Sequence, residues 1–209
     1  MTATPKRILI FGGTFDPPHR AHVDLPVLVA RELECERIVY VPAAQNPLKG
    51  EPPIASAEHR LAMLRLAIRA MPIAAISTVE LDRGGPSYFV ETLEALRAEL
   101  GDGVNLHFLI GADQAVDFRR WKDCERILRL ATPAVLLRPP WTRDRLLDAL
   151  VGAHGEDEGR RWMDRVTTAP LLDVSATELR RTLAAGEEPI GALDAAVAAY
   201  VREHGLYVR

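Results

Sequence analysis

Short apolar runs alternate with longer stretches of helical period along most of this chain, and few folds accept that alternation. Residues 8–11, 38–41, 73–79, 106–110 and 134–137 read as strands. Between them, 20–34 reads as a helix with a kink expected at Pro26. Leu61, Leu64, Ile68 and Met71 mark the face of a second helix, with Ser56 as its N-cap. Val90, Leu93, Leu96 and Leu100 mark a third, and 123–130 a fourth. The strands are apolar almost without interruption, as in a parallel sheet buried on both faces. The fold class is therefore α/β, a doubly wound parallel sheet.

Beyond 138–140, the sequence predicts charged helix over 141–165, with a mobile loop at 152–159. Residues 171–174 read as a final strand. Two short helices follow, from Ala176 and from about Leu193, and Gly186 and Gly205 stand where C-terminal caps belong. The 209 residues suit one domain, with about 175–209 as a small C-terminal helical region.

Composition excludes several classes. With 48% hydrophobic and 26% charged residues, the chain is neither disordered nor fibrous. A net charge of −3 gives no general field for nucleic acid, so any polyanion must be held by local groups. Two cysteines, Cys35 and Cys124, are too few for a disulfide framework or a Cys-rich zinc site. No apolar run approaches the twenty residues of a spanning helix, so no membrane role is expected and the location reads as cytoplasmic.

In an open parallel sheet, ligands bind at the carboxyl ends of the strands. After the first strand comes Gly12-Gly13-Thr14-Phe15-Asp16-Pro17-Pro18-His19-Arg20-Ala21-His22. The glycines let backbone approach a ligand, and a helix starting there would aim free N–H groups at an anion. His19 and His22, three apart, share one helix face and can donate to one phosphate chain. A metal site would need a third ligand such as Asp16 or Asp24. No G-x-x-x-x-G-K-[ST] and no G-x-G-x-x-G is present.

A second anion site reads from Ser175, Thr177, Glu178 and Arg180. Ser175 and Glu178 have capping-box spacing, Thr177 adds a hydroxyl, and Arg180 can reach back as a forked cation. A well-capped helix with a solvated arginine explains the same residues. Asp113, after Gly111, suits either a helix N-cap or an acceptor for ribose hydroxyls. Trp121, among Arg119, Arg120 and Lys122, is either core or a face on which a cationic ring stacks.

These blocks resemble the H-x-G-H nucleotidyltransferases and, among them, the bacterial nicotinate-nucleotide adenylyltransferase family. The resemblance runs from Ile8 to about Tyr207 and is weakest between 141 and 169. Gly12-Gly13-Thr14-Phe15-Asp16-Pro17 with the paired histidines carries it first. Pro86-Ser87-Tyr88 with Thr92-Leu93 is similar to the family's P-S-Y-x-x-x-T-L. Gly111-Ala112-Asp113 with Phe118 and Trp121, Val174 to Arg180, and Gly205-Leu206-Tyr207 add three further blocks.

The resemblance implies a Rossmann-like nucleotidyltransferase fold and adenylyl transfer from ATP to nicotinate mononucleotide in NAD biosynthesis, assisted by Mg²⁺. It implies catalytic roles for His19, His22 and Arg180. It implies ATP contacts from Gly12, Gly13, Thr14, Phe15, Gly111, Asp113, Ser175 and Thr177. Lys49, Ser87, Tyr88, Thr92 and Trp121 would serve the mononucleotide, Thr92 with neighbouring backbone N–H groups holding the nicotinate carboxylate. No residue is expected to act as a resident metal ligand.

The chain departs from the family pattern at Ala21, which replaces the motif glycine and is expected to crowd the nucleotide, and at Leu48, where many members have histidine. A nicotinamide mononucleotide acceptor, another phosphate acceptor, and a non-catalytic adenine-nucleotide sensor are the competing readings.

Overall fold

The structure is a computed structural model that describes residues 6–48, 51–172 and 174–208. Five strands, β1 (Lys6–Gly13), β2 (Arg37–Pro42), β3 (Ala74–Ile76), β4 (Val104–Gly111) and β5 (Thr132–Leu136), form one sheet. Their order is β3-β2-β1-β4-β5 and every pairing is parallel. The chain steps outward from β1 to β3, then returns to pair β4 with the other side of β1. The crevice at the carboxyl ends of β1 and β4 is therefore the point where strand order reverses, where such sheets bind ligands.

Alternate side chains of each strand enter opposite cores. Ile8, Ile10, Phe108 and Ile110 face one cluster with Leu93, Leu96 and Trp162. Leu9, Ile38, Tyr40 and Leu109 face the other, with Val29 and Leu64. Both faces are covered, as the apolar strands predict. Helices α1 (Arg20–Glu32) and α2 (Ala57–Ile68) supply the second cluster. Helix α4 (Phe89–Leu100) and α6 (Cys124–Leu130) supply the first, with α5 (Ala112–Val116) opening directly from β4.

Pro26 does not break α1. A proline there cannot donate to the His22 carbonyl four residues back. The Tyr40 hydroxyl of β2 donates to that carbonyl instead, at 3.0 Å. The missing helix bond is thus replaced by a tie from the sheet, one turn from the start of α1.

Several boundaries differ from expectation. The third strand shortens to Ala74–Ile76, and a five-residue helix α3 (Val79–Arg83) takes the following chain. The buried face of α2 is Arg60, Met63, Leu64 and Ile68; Leu61 is only half-buried and Met71 lies beyond the helix. No loop occupies 152–159. Helices α7 (Arg143–His154) and α8 (Glu156–Met163) are separated by Gly155 alone, at φ +87°. A Cβ at Gly159 would lie 2.7 Å from the Val151 backbone nitrogen, so glycine lets α7 and α8 touch.

The expected strand at 171–174 does not form at residues 171, 172 and 174. Leu171 is exposed, while Leu172 and Val174 pack on the second cluster without pairing. A single bridge joins Val166 to Val135 instead.

Helices α9 (Ala176–Ala184) and α10 (Ala195–Glu203) seat on α2 through Met63, Leu179, Leu183, Val197 and Val201. Gly186 (φ +74°) and Gly205 (φ +58°) directly follow the C-caps Ala185 and His204, as expected. Among the described residues, no helix is long and apolar enough to cross a membrane.

Candidate active site

The loop after β1 delivers both histidines to the crevice. His19 is the N-cap of α1. Its backbone N–H donates to His22 Nδ1 at 3.2 Å, and the two rings stack with centroids 3.6 Å apart. His19 is buried, and its Nδ1 has no hydrogen-bond partner among the described residues. Burial, with the nearby Arg138 guanidinium as a second cause, pushes the His19 imidazole down to about 4. It is therefore neutral at pH 7. A buried, unpartnered polar atom beside a cleft marks a place for a ligand group.

The glycines before the loop make room. A Cβ at Gly13 would come within 3.0 Å of the Phe15 ring. Phe15 sits at φ +49° and is buried against Phe11 and His22, so its ring belongs to the core and only its backbone can meet a nucleotide. Ala21 is also buried in that core, at 8% exposure. Its methyl packs against protein in that cluster.

Helix α9 brings the second anion group to the same loop. Arg180 donates to the Asp16 backbone carbonyl at 2.8 Å and to Thr177 Oγ1 at 3.3 Å. Ser175 is the N-cap, but its side chain makes no capping bond, so the expected box with Glu178 does not close. Ser175 instead lines an open cleft of ≈ 340 Å³ with Asp113, Arg138, Trp141 and Leu172. Asp113 Oδ2 accepts from Arg138 at 2.9 Å, while Oδ1 is buried without a partner among the described residues. Gly111 permits this, since a Cβ there would lie 2.7 Å from that Oδ1.

The other expected residues gather around the start of α4. Ser87 Oγ accepts the Ala44 backbone N–H at 2.9 Å, joining the loop after β2 to the 84–88 turn. Lys122 Nζ lies 4.3 Å from the centre of the Tyr88 ring. Trp121 is half-buried, edge-on to Phe89 and tilted against Phe118, and its indole N–H is buried without a partner among the described residues. Phe89 reaches the β1 end, 4.0 Å from where a Gly12 Cβ would stand.

Thr92 stands in the first turn of α4. It is fully buried, and its hydroxyl donates to Glu80 Oε1 at 2.6 Å. Lys49 lies outside the described residues.

Several contributors take roles not expected from the sequence. Asp16 is buried, and its carboxylate accepts from Ile54 N, Ala55 N and the Tyr207 hydroxyl. Arg60, also buried, donates to the Thr14 carbonyl at 2.7 Å. Its position on the inward face of α2, four residues from Leu64, was the signal available. Arg138, at the end of β5 and beside two prolines, offered little. Among the described residues no three His, Cys, Asp or Glu side chains converge as metal ligands.

The sequence matches the cytidylyltransferase-like family over residues 10–182, and the chain belongs to that family of nucleotidyltransferases. It is 40% identical over 208 residues to a probable nicotinate-nucleotide adenylyltransferase of Chromobacterium violaceum, covering 96% of this chain and 98% of the relative. A probable nicotinate-nucleotide adenylyltransferase of Thermomicrobium roseum is 39% identical, over 96% of this chain and 91% of its own. Within the larger family, the chain is a member of the nicotinate-nucleotide adenylyltransferases. The fold is shared with the Plasmodium falciparum nicotinic acid mononucleotide adenylyltransferase complexed with NaAD. That structure has a TM-score of 0.71 at 18% identity, over 97% of each chain.

Proposed function

We propose that the protein transfers the adenylyl group of ATP to nicotinate mononucleotide, giving nicotinate adenine dinucleotide and pyrophosphate in NAD biosynthesis. The 5′-phosphate oxygen of the mononucleotide attacks the α-phosphorus. The bond to the bridging oxygen breaks, and pyrophosphate leaves with that electron pair. Such a transfer needs alignment and charge neutralisation, not a protein nucleophile.

The observation that carries this reading is the neutral, buried His19 stacked on His22 at the start of α1, with Arg180 bound to the same loop. His19 and His22 donate to phosphate oxygens as charge grows on them. Thr14, Ser175, Thr177 and Arg180 hold the triphosphate, beside the backbones of Gly12, Gly13 and Phe15. Asp113, following Gly111, accepts from the ATP ribose. Trp121 supplies a ring face and an unpartnered indole N–H for the pyridine end, Tyr88 and Ser87 shape its wall, and Lys49 meets the mononucleotide phosphate.

Mg²⁺ commonly binds through substrate phosphates and one or two carboxylates. Asp113, with its buried, unpartnered Oδ1, fits that supporting role, directly or through a water. When bound, the ion neutralises charge on the phosphates. We place the reaction in the cytoplasm, a reading supported by Cys35 and Cys124 both being free thiols.

The test is pyrophosphate release with Mg-ATP and either nicotinate or nicotinamide mononucleotide. A strong preference for nicotinate is expected. A nicotinamide preference would overturn the acceptor, and nucleotide binding without turnover would favour a sensor.

A further inference from the structure

We infer that Tyr207 is a positioning residue that holds Arg180 in place through Asp16, for the reaction proposed above. Asp16 lies in the irregular stretch between β1 and α1, where no ladder fixes the backbone. Its carboxylate does that work. Oδ2 accepts the Ile54 N–H at 2.7 Å, and Oδ1 accepts the Ala55 N–H at 3.2 Å. Oδ1 also accepts the Tyr207 hydroxyl at 2.6 Å. All three groups converge on one buried side chain, and the backbone carbonyl of the same residue receives Arg180 at 2.8 Å.

Arg180 is thus anchored on one side to a carbonyl whose orientation depends on the Tyr207 bond, and on the other to Thr177. Tyr207 is itself fixed: it is buried, at φ +65°, and packs in the cluster that seats α9 and α10 on α2. Arg60, which donates to the Thr14 carbonyl two residues before Asp16, secures the other end of the loop. Tyr207 is not among the residues that line the ≈ 340 Å³ cleft. It acts by fixing where the guanidinium of Arg180 points.

Tyr207→Phe removes the hydroxyl and keeps the ring, so α9 and α10 retain their packing. Binding of Mg-ATP and of nicotinate mononucleotide is measured separately by calorimetry, with thermal midpoints as the control for folding. The variant is expected to bind Mg-ATP about tenfold more weakly, the scale of one charge-assisted hydrogen bond, with mononucleotide binding unchanged. In an Arg180→Ala background, Tyr207→Phe should add roughly twofold or less.

Wild-type affinity for ATP in Tyr207→Phe, the full loss in both backgrounds, or equal losses for both ligands would overturn the inference. Should the Phe variant not fold, Asp16→Asn keeps the backbone carbonyl and side-chain volume, and must show the same selective loss. Since ATP binding is read alone, a wild-type protein without turnover would sink the proposed reaction and leave this result standing.

Discussion

The His19 backbone N–H donates to Nδ1 of His22 while the two imidazoles lie stacked, 3.6 Å between centroids. The bond makes Nδ1 of His22 an acceptor, so its neutral ring carries its proton on Nε2. On the proposed function both imidazoles donate to phosphate oxygens.

On the proposed mechanism these donors matter most in the transition state. His19→Ala should lower kcat by about 100-fold or more while KM for ATP changes only a few-fold. Initial rates of pyrophosphate release decide it. Equal change in both constants would reject the transition-state role.

His19 also predicts how the fold responds to acid. Well above pH 6.5 the ring is neutral in folded and unfolded chains, and it contributes no pH dependence. As pH falls from 6.5 towards about 4, the unfolded chain takes up a proton that the folded chain refuses, so stability declines. Between pH 7 and 5 this group should cost about 2 kcal/mol. Urea unfolding of His19→Asn, which keeps a good N-cap, should lack that component of the decline.

Glu80 is buried and receives the Thr92 hydroxyl. Thr92→Val keeps the shape and removes the donor, so it should destabilise the protein by about 1–3 kcal/mol. Adding Glu80→Gln should recover part of that loss, because the buried group is then uncharged. Urea midpoints of the two variants give the answer.

Ala21 packs in the core at 8% exposure, so restoring the family's glycine has a structural cost. Ala21→Gly should lose about 1 kcal/mol of stability and leave KM for ATP within roughly twofold. A large gain in ATP affinity would show that the methyl does face the nucleotide.

The sheet was legible because a buried parallel strand leaves an unbroken apolar run, and β1, β2, β4 and β5 each do. Their order was not, since no residue states its neighbour. Helix α3 was missed because five residues followed by Gly84-Gly85 show no helical period. Gly152, Gly155 and Gly159 suggested a mobile loop, yet Gly155 caps a helix and Gly159 serves a close helix contact. Among the site residues, the histidines stood out by spacing and type, and Arg180 only through the family resemblance. Arg60 and Arg138 did not, because a lone arginine in sequence looks solvated. Thr92 was found by motif, but only the fold shows that its hydroxyl donates to Glu80.

The bond between Asp16 and Tyr207 spans 191 residues of chain. At a translation rate of about 5–20 residues per second, roughly 10–40 s separate the synthesis of its two ends. Through that interval β1 to β5 emerge and can pair, while the carboxylate of Asp16 waits for its hydroxyl. The nucleotide cradle is thus completed only after residue 207 clears the ribosome, and a nascent chain paused earlier carries the sheet without the finished site.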